Sequence, residues 1–510
     1  MKFNRTKNAK RNIFFGLLNK MVTLAFPFVI RMVMIRILGA EYLGLGSLFK
    51  SILTVLNITE LGFSSAVVYS MYKPIANDDK ETLCAILNFY RKVYFAIGFI
   101  ITLVGLAILP FLPSLIKGSC PADINIYVLY ALYLCSTVLS YLLFAYKNSL
   151  INAYQRVDVI SNINTAVHLI TCTAQLVIII LTKSFYLYVV MNIVATVIQN
   201  ICTQICSKIM FPDILCKGSI TCEIKKEIKV KVTGLFITKI CHVTRNSFDS
   251  IFISAFLGLR LTAIYNNYYY IMHALLSVFG IIWPAILAGI GNSIVTESQE
   301  KNYSDMKKFN FIYMWLAGCF TVCLLCLYQP FTQIAFGKDM MFAFPVVILF
   351  CVYFYVLKMG DIRAIYSDAC GLWWENRWRN ILEAVSNIIL NFILGKFWGV
   401  YGIVIATLIS LFFINFLWGS TIVYKHYFTR IKISEYYLLH LLYASVTLTA
   451  CFISYFICFH IPLKGIPALL AKALVCLLIP NLLYLACYFK SPLFKEARQT
   501  FFKKVKMHSH

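Results

Sequence analysis

Fourteen apolar stretches follow one another along the 510 residues, each long enough to cross the ~30 Å hydrocarbon core of a bilayer as a helix. They cover 13–38, 43–70, 92–116, 126–150, 161–182 and 185–207, then 234–257, 263–295, 310–336, 341–371, 380–396 and 399–424, and finally 437–460 and 465–489. A chain that is 60% hydrophobic and only 13% charged lacks the polar surface to face water over most of its area. The expected fold is therefore all-α: a polytopic membrane protein of about 14 transmembrane helices. The first run follows a basic start (Lys2, Arg5, Lys7, Lys10, Arg11) in the manner of a signal peptide. However, Ile13 to Leu38 is too long for a signal core and has no small-residue cleavage site, so it reads as the first spanning helix. The run 263–295 exceeds what a span needs and carries Pro284, which predicts a kink or an extension beyond the bilayer.

The formal net charge of +25 could suggest nucleic acid, but the cations sit in short segments between apolar runs. When the connecting segments are assigned alternately to the two sides, one side holds 31 Lys and Arg and the other holds 6. Cytoplasmic loops carry that excess, so both termini are expected in the cytoplasm of a cell-membrane protein, with no nucleic-acid partner. No segment on the outer side is long enough for a domain. The longest inner one, Lys208 to Val232, spaces Ile220, Ile224, Ile228 and Val232 four apart, with Lys225, Lys226, Lys229 and Lys231 on other faces. It reads as a cationic amphipathic helix on the inner leaflet. Trp373, Trp374 and Trp378 with Arg377 and Arg379 read as an interface anchor, and Tyr265 to Tyr270 as part of an aromatic belt. Asp78 and Asp79, beside Lys80, read as a solvated turn. The 18 cysteines lie mostly inside apolar runs (Cys135, Cys172, Cys319, Cys323, Cys326, Cys476) without metal-ligand spacing, and read as small hydrophobic filler. No metal or cofactor is expected.

The two halves open alike. Ile37-Leu38-Gly39 ends the first helix and Phe256-Leu257-Gly258 the seventh. A small-residue stretch, a polar loop and an Asn-Phe pair follow in each half (Asn88-Phe89 and Asn310-Phe311). Six helices, a linker and six helices predict two bundles in a pseudo-twofold arrangement, a common transporter plan with the substrate between the bundles. The expected divisions are 1–207, a linker at 208–233, 234–424, and an extra helix pair with a basic tail at 425–510.

Several motifs extend the reading. They are Pro27-Phe28-Val29-Ile30-Arg31, Leu38-Gly39-Ala40-Glu41-Tyr42-Leu43-Gly44-Leu45, Leu56-Asn57-Ile58-Thr59-Glu60-Leu61-Gly62-Phe63, Tyr72-Lys73-Pro74-Ile75-Ala76, Asp249 through Leu259, and Gly399-Val400-Tyr401-Gly402 through Thr407. Together they resemble the Wzx-type polysaccharide biosynthesis flippases of the multidrug/oligosaccharidyl-lipid/polysaccharide exporter superfamily. The resemblance implies transfer of a polyprenyl-pyrophosphate-linked oligosaccharide from the inner to the outer leaflet for surface polysaccharide such as O-antigen or capsule. It also implies a polymerase and glycosyltransferases as pathway partners.

Charges inside spans are costly and mark function by default. Arg31, Arg36, Lys50, Lys239 and Arg245 are the candidate cavity cations, suited to a pyrophosphate because guanidinium forks match its oxygens. Arg31 and Arg245, on equivalent helices, are expected to face one another across the cavity. Arg36 is also placed to snorkel, and Arg245 is spaced to pair with Asp249. Glu60 and Asp249 are candidates for ion coupling. Lys358, Asp361, Arg363 and Asp368, with Glu383 nearby, are candidates for a gate network. No phosphate-binding Gly-Lys-Ser/Thr loop occurs, so no built-in ATPase is expected. A membrane glycosyltransferase or polymerase would need a larger outer loop. A drug or cation exporter, or a peptidoglycan-precursor flippase, would share the fold, since fold does not fix substrate.

Overall fold

In the computed structural model the described residues are 5–496 and 498, apart from 58–62 and 119. The chain is 86% helical, with no strand among the described residues. In order the helices are α1 (Arg5–Ile37), α2 (Ala40–Leu56), α3 (Phe63–Ala76), α4 (Lys80–Ile108), α5 (Ile126–Leu142), α6 (Tyr146–Ala153), α7 (Val157–Thr182), α8 (Phe185–Met210), α9 (Cys222–Leu257), α10 (Leu259–Thr296), α11 (Gln299–Phe336), α12 (Phe344–Met359), α13 (Asp361–Ala369), α14 (Arg377–Ile409), α15 (Gly419–His426), α16 (Ile433–Phe459) and α17 (Gly465–Tyr488). A 3-10 stretch, Leu109–Leu115, extends α4, and a π-helical stretch, Ser410–Trp418, joins α14 to α15.

Local chemistry sets many of the helix starts. A helix leaves its first N–H groups without intrahelical partners, and a short polar side chain just ahead of it can accept from them. Asp79 accepts from the Thr82 N–H at 2.9 Å, Asn125 from Tyr127 and Val128, Ser184 from Leu187, Thr221 from Ile224 and Ser298 from Lys301. The Asp78-Asp79 pair is thus a turn and a cap: Asp78 has φ 54°, and the bonds from Thr82 hold the exposed Asp79 carboxyl below its ordinary range.

In its described residues, each of the fourteen apolar runs lies largely on helix. Among the described residues, ten helices are long and apolar enough to span, or eleven if α5 and α6, bent by 48°, form one broken span. Arg377–His426 counts once but contains two expected runs, separated where Gly399 adopts φ 56°, ψ −133°. The turn there is so tight that a Cβ on Gly402 would overlap the Leu394 carbonyl. The second run divides into α2 and α3, and among the described residues of the seventh, Ser247–Leu257 is a short apolar helix at the end of α9. α10 passes through Pro284 as one 38-residue helix. Leucine and phenylalanine side chains stand outward along α16 and α17 (Leu448, Phe452, Phe456, Leu470, Leu474, Leu482), a surface suited to lipid rather than water. The chain is a multi-pass membrane protein.

The 208–232 linker does not form a separate surface helix. From Cys222 it is the opening of the 36-residue α9, and Ile228 is buried while Lys225, Lys226 and Lys229 are exposed. Packing divides the chain into two compact units, residues 1–263 and 264–510. In the first unit, α1 lies along α7, α7 along α8, and α2 against α5 and α9. Its core is built on Leu45, Leu48 and Phe49, with Phe49 set edge-on to Tyr130 and Tyr133. Gly44 permits the closest approach in this unit: a Cβ there would overlap the carbonyl of Leu259. In the second unit, α11 is the central helix, packed by α12, α16 and α17. Tyr268, Tyr328, Phe342 and Phe350 form an aromatic core beside it.

Candidate functional site

Two regions hold polar groups inside the apolar frame. In the first unit, α2 buries seven residues in succession, Leu43 to Phe49, and then exposes Lys50. Arg31, half-buried on α1, and Cys172 on α7 lie within electrostatic reach of it. Lys50 forms no ion pair among the described residues. Arg36 is exposed near the end of α1. A seam of amides and hydroxyls on α1, α7 and α8 continues this region. Thr165 donates to Asn19 (3.2 Å), Gln199 to Asn164 (2.7 Å), and the buried Gln175 to the Tyr188 carbonyl and to Asn192 (3.1 Å each). These neutral groups escaped the sequence reading, which searched spans for charge; three amides on α8 (Asn192, Gln199, Asn200) at roughly helical spacing were the available signal.

Asp249, on α9, is fully buried. Lys239 and Arg245 lie on the same helix, but their side chains fall outside what the structure describes, so the facing of Arg31 and Arg245 does too. Glu60 lies in 58–62, also outside the described residues.

In the second unit the expected gate residues fall into two separate clusters, Lys358 with Asp361 and Arg363 with Glu383, and Asp368 joins neither through an ion pair among the described residues. The α12 helix ends at Met359 and α13 begins at Asp361, so Gly360 marks a break. Asp361 receives the Lys358 ammonium and the Tyr313 hydroxyl. Arg363, 1% exposed, donates from Nη2 to the Asn415 carbonyl (2.8 Å) and to Asn415 Oδ1 (3.1 Å), while its Nε has no partner. Asn415 in turn donates to Glu383 Oε2 (2.9 Å). Arg379 bonds the same carboxylate oxygen from Nη1 (3.1 Å) and reaches Asn376 (2.8 Å) and Asn380. Space for the guanidinium of Arg363 exists because residue 419 is glycine: a Cβ there would lie 2.6 Å from Nη1.

Arg379 therefore departs from the interface anchor expected of it, being buried and paired, whereas Arg377 does stack on exposed Trp374 (4.1 Å). Asp368 is half-buried and forms no ion pair among the described residues. Asn415, the link between Arg363 and Glu383, went unnoticed because its reach depends on the π-helical stretch, a local widening that often accompanies functional sites. Nearby, Asn387 donates to Thr407 (3.2 Å) and Ser410 (3.4 Å).

The comparisons with known proteins agree with this frame. The family model described as polysaccharide biosynthesis protein matches residues 9–287. No curated protein matches. Among solved structures, the lipid II flippase MurJ in an inward closed conformation aligns with a TM-score of 0.65 at 13% identity, over 95% of this chain and 99% of that one. An inward-facing multidrug resistance MATE family transporter of the MOP superfamily aligns with a TM-score of 0.61 at 15% identity, over 80% and 97%. A MOP superfamily transporter from Pyrococcus furiosus, described by a reverse polarity of its binding pocket, aligns with a TM-score of 0.52 at 15% identity, over 82% and 96%. At these identities the structural likeness establishes the fold, and the family match over more than half of the chain establishes the membership: the chain belongs to the polysaccharide biosynthesis protein family and has the fold of the MOP superfamily transporters.

Proposed function

We propose that the protein is a flippase that carries a polyprenyl-pyrophosphate-linked oligosaccharide from the inner to the outer leaflet of the cytoplasmic membrane, with both termini in the cytoplasm. The observation that carries this reading is the accessible Lys50 beside Arg31 in a unit whose buried seam is otherwise amide and hydroxyl. A pyrophosphate needs cations, and sugar hydroxyls need groups that donate and accept, which amides do. Arg36, Lys239 and Arg245 belong to the proposed cation set by their place on α1 and α9. The paired charges of the second unit suit a gate, because they are already neutralised by one another. Binding would compensate the cations of the first unit, and the carrier would exchange inward-open for outward-open states under an ion gradient, the membrane potential or the lipid gradient itself.

The rival readings are a drug or cation exporter and a peptidoglycan-precursor flippase, which the structural neighbours suit as well. The cation set favours an anionic substrate over a cationic drug. The reading is tested with Lys50→Ala and Arg31→Ala in a flippase-deficient strain at matched protein levels. Surface glycan should fall about tenfold to a hundredfold, the equivalent of one lost charge-assisted contact of ~1.5–3 kcal/mol. Lys50→Arg should retain much of it, because the charge remains. Full complementation by both alanine variants would overturn the site. Transport of a cationic dye in preference to the pyrophosphate-linked lipid, in vesicles containing the purified protein, would overturn the substrate class.

A further inference from the structure

Three helices of the second unit bring cysteines to one point. Cys326 of α11, Cys458 of α16 and Cys476 of α17 are 4%, 2% and 0% exposed, and their sulfurs all lie within 4.8 Å of one another. Cys323 lies one turn before Cys326 on α11. Scattered filler cysteines have no reason to converge from three helices. A disulfide would join only two of the three and leave a thiol over, and the sulfurs are separated as unbonded groups.

We propose that Cys326, Cys458 and Cys476 form a site for a thiophilic divalent metal ion of the zinc class, which staples the C-terminal helix pair to α11. Sulfur donors at about 2.3 Å from one ion stand roughly 4 Å apart, so closing the site requires each side chain to move by less than an ångström. The donors are all sulfur, which selects a soft or borderline ion over magnesium or calcium. Binding exchanges three thiol protons for one divalent ion, with three protons released and a complex of charge −1 left behind. Lys472, one turn before Cys476 on α17, lies within electrostatic reach of Cys458 and offsets that charge. A monovalent ion would leave −2 in an apolar setting, which is costlier. Zinc favours a tetrahedron, so a fourth donor would join the three sulfurs on binding.

The test uses the full-length protein purified in detergent under reducing conditions and titrated with cadmium, whose thiolate charge-transfer band reports sulfur ligation. One equivalent should bind tightly. Cys326→Ser, Cys458→Ser and Cys476→Ser should each weaken it at least ~100-fold, and exposed Cys135→Ser and Cys487→Ser should leave it unchanged. If a variant fails to fold, zinc-edge absorption on the unaltered protein decides. Three or four sulfurs at about 2.3 Å support the site, and mixed nitrogen and oxygen donors overturn it. Unchanged cadmium binding in all three variants overturns it, and so does an intact mass showing these thiols already oxidised in pairs.

Discussion

The two polar regions handle charge differently. In the first unit, Lys50 stands exposed beside Arg31 and forms no ion pair among the described residues. In the second, Lys358 meets Asp361, Arg379 meets Glu383, and Asn415 ties that pair to Arg363. A charge that answers another charge within the protein holds helices in register but has little attraction left for a ligand. A charge that opens on an accessible space does the reverse. The second unit should therefore be sensitive to mutation in stability, and the first in transport.

The largest test of that contrast is Glu383→Ala. It leaves Arg379 buried without its carboxylate and should cost about 3–5 kcal/mol, read as a lower unfolding temperature in detergent. The double variant Arg379→Met, Glu383→Leu should regain most of the loss. If Lys50→Ala destabilises as much as Glu383→Ala, the contrast fails. Next comes Gly419→Ala. The new methyl group meets the Arg363 guanidinium, so about 1–3 kcal/mol should be lost. Gly289→Ala, inside α10 where nothing lies within 4 Å, should lose no stability and gain about 0.4–1 kcal/mol.

A finer test uses the repeat. Asn88 and Asn310 each open an Asn-Phe pair after a polar loop in the sequence, and each bonds a later segment of its own unit. Asn88 donates to the Gly218 carbonyl (2.8 Å), and Asn310 bonds the buried His440 (3.0 Å). Asn310→Ala leaves His440 with no partner at either ring nitrogen and should cost about 1–3 kcal/mol. Asn88→Ala leaves a carbonyl that water can reach and should cost about 0.5–1.5 kcal/mol. Equal losses in thermal unfolding would mean the two contacts are equivalent after all. The smallest effect concerns the start of α4. The Asp79 carboxyl is held below its ordinary range by the bonds from Thr82, so its contribution is present at neutral pH and is lost only as pH falls through that lowered value. Hydrogen exchange at Thr82, corrected for intrinsic rate, should lose protection in acid, and Asp79→Asn should remove that dependence.

Much of the helical frame was legible because hydrocarbon imposes one rule on every span: a long apolar run with its polar backbone satisfied internally. Gly39 and Gly258, each closing a matching tripeptide in the sequence, both take positive φ (122° and 95°) where one helix yields to the next. Lys358, Asp361 and Arg363 stood out as charges in an apolar run. Arg379 misled because tryptophans surround it in sequence, whereas its helix turns it inward to Glu383. The cysteine cluster was invisible because its members come from α11, α16 and α17, and no local spacing records their meeting. Asn415 was hidden by a backbone register that apolar periodicity does not reveal.

The length of α9 has a mechanical consequence. Thirty-six residues make a rod of about 54 Å, against ~30 Å of hydrocarbon, so in the proposed topology roughly 24 Å of it would stand beyond that layer. Its lysine-bearing end and its apolar end share one uninterrupted ladder of backbone bonds, and the rod cannot bend at the membrane surface without breaking some of them. A tilt of about 10° in the spanning portion sweeps the projecting tip by roughly 4 Å. In that topology the lysines of that tip would be an indicator needle: a label on the exposed Lys225 or Lys226 would register the attitude of the rod.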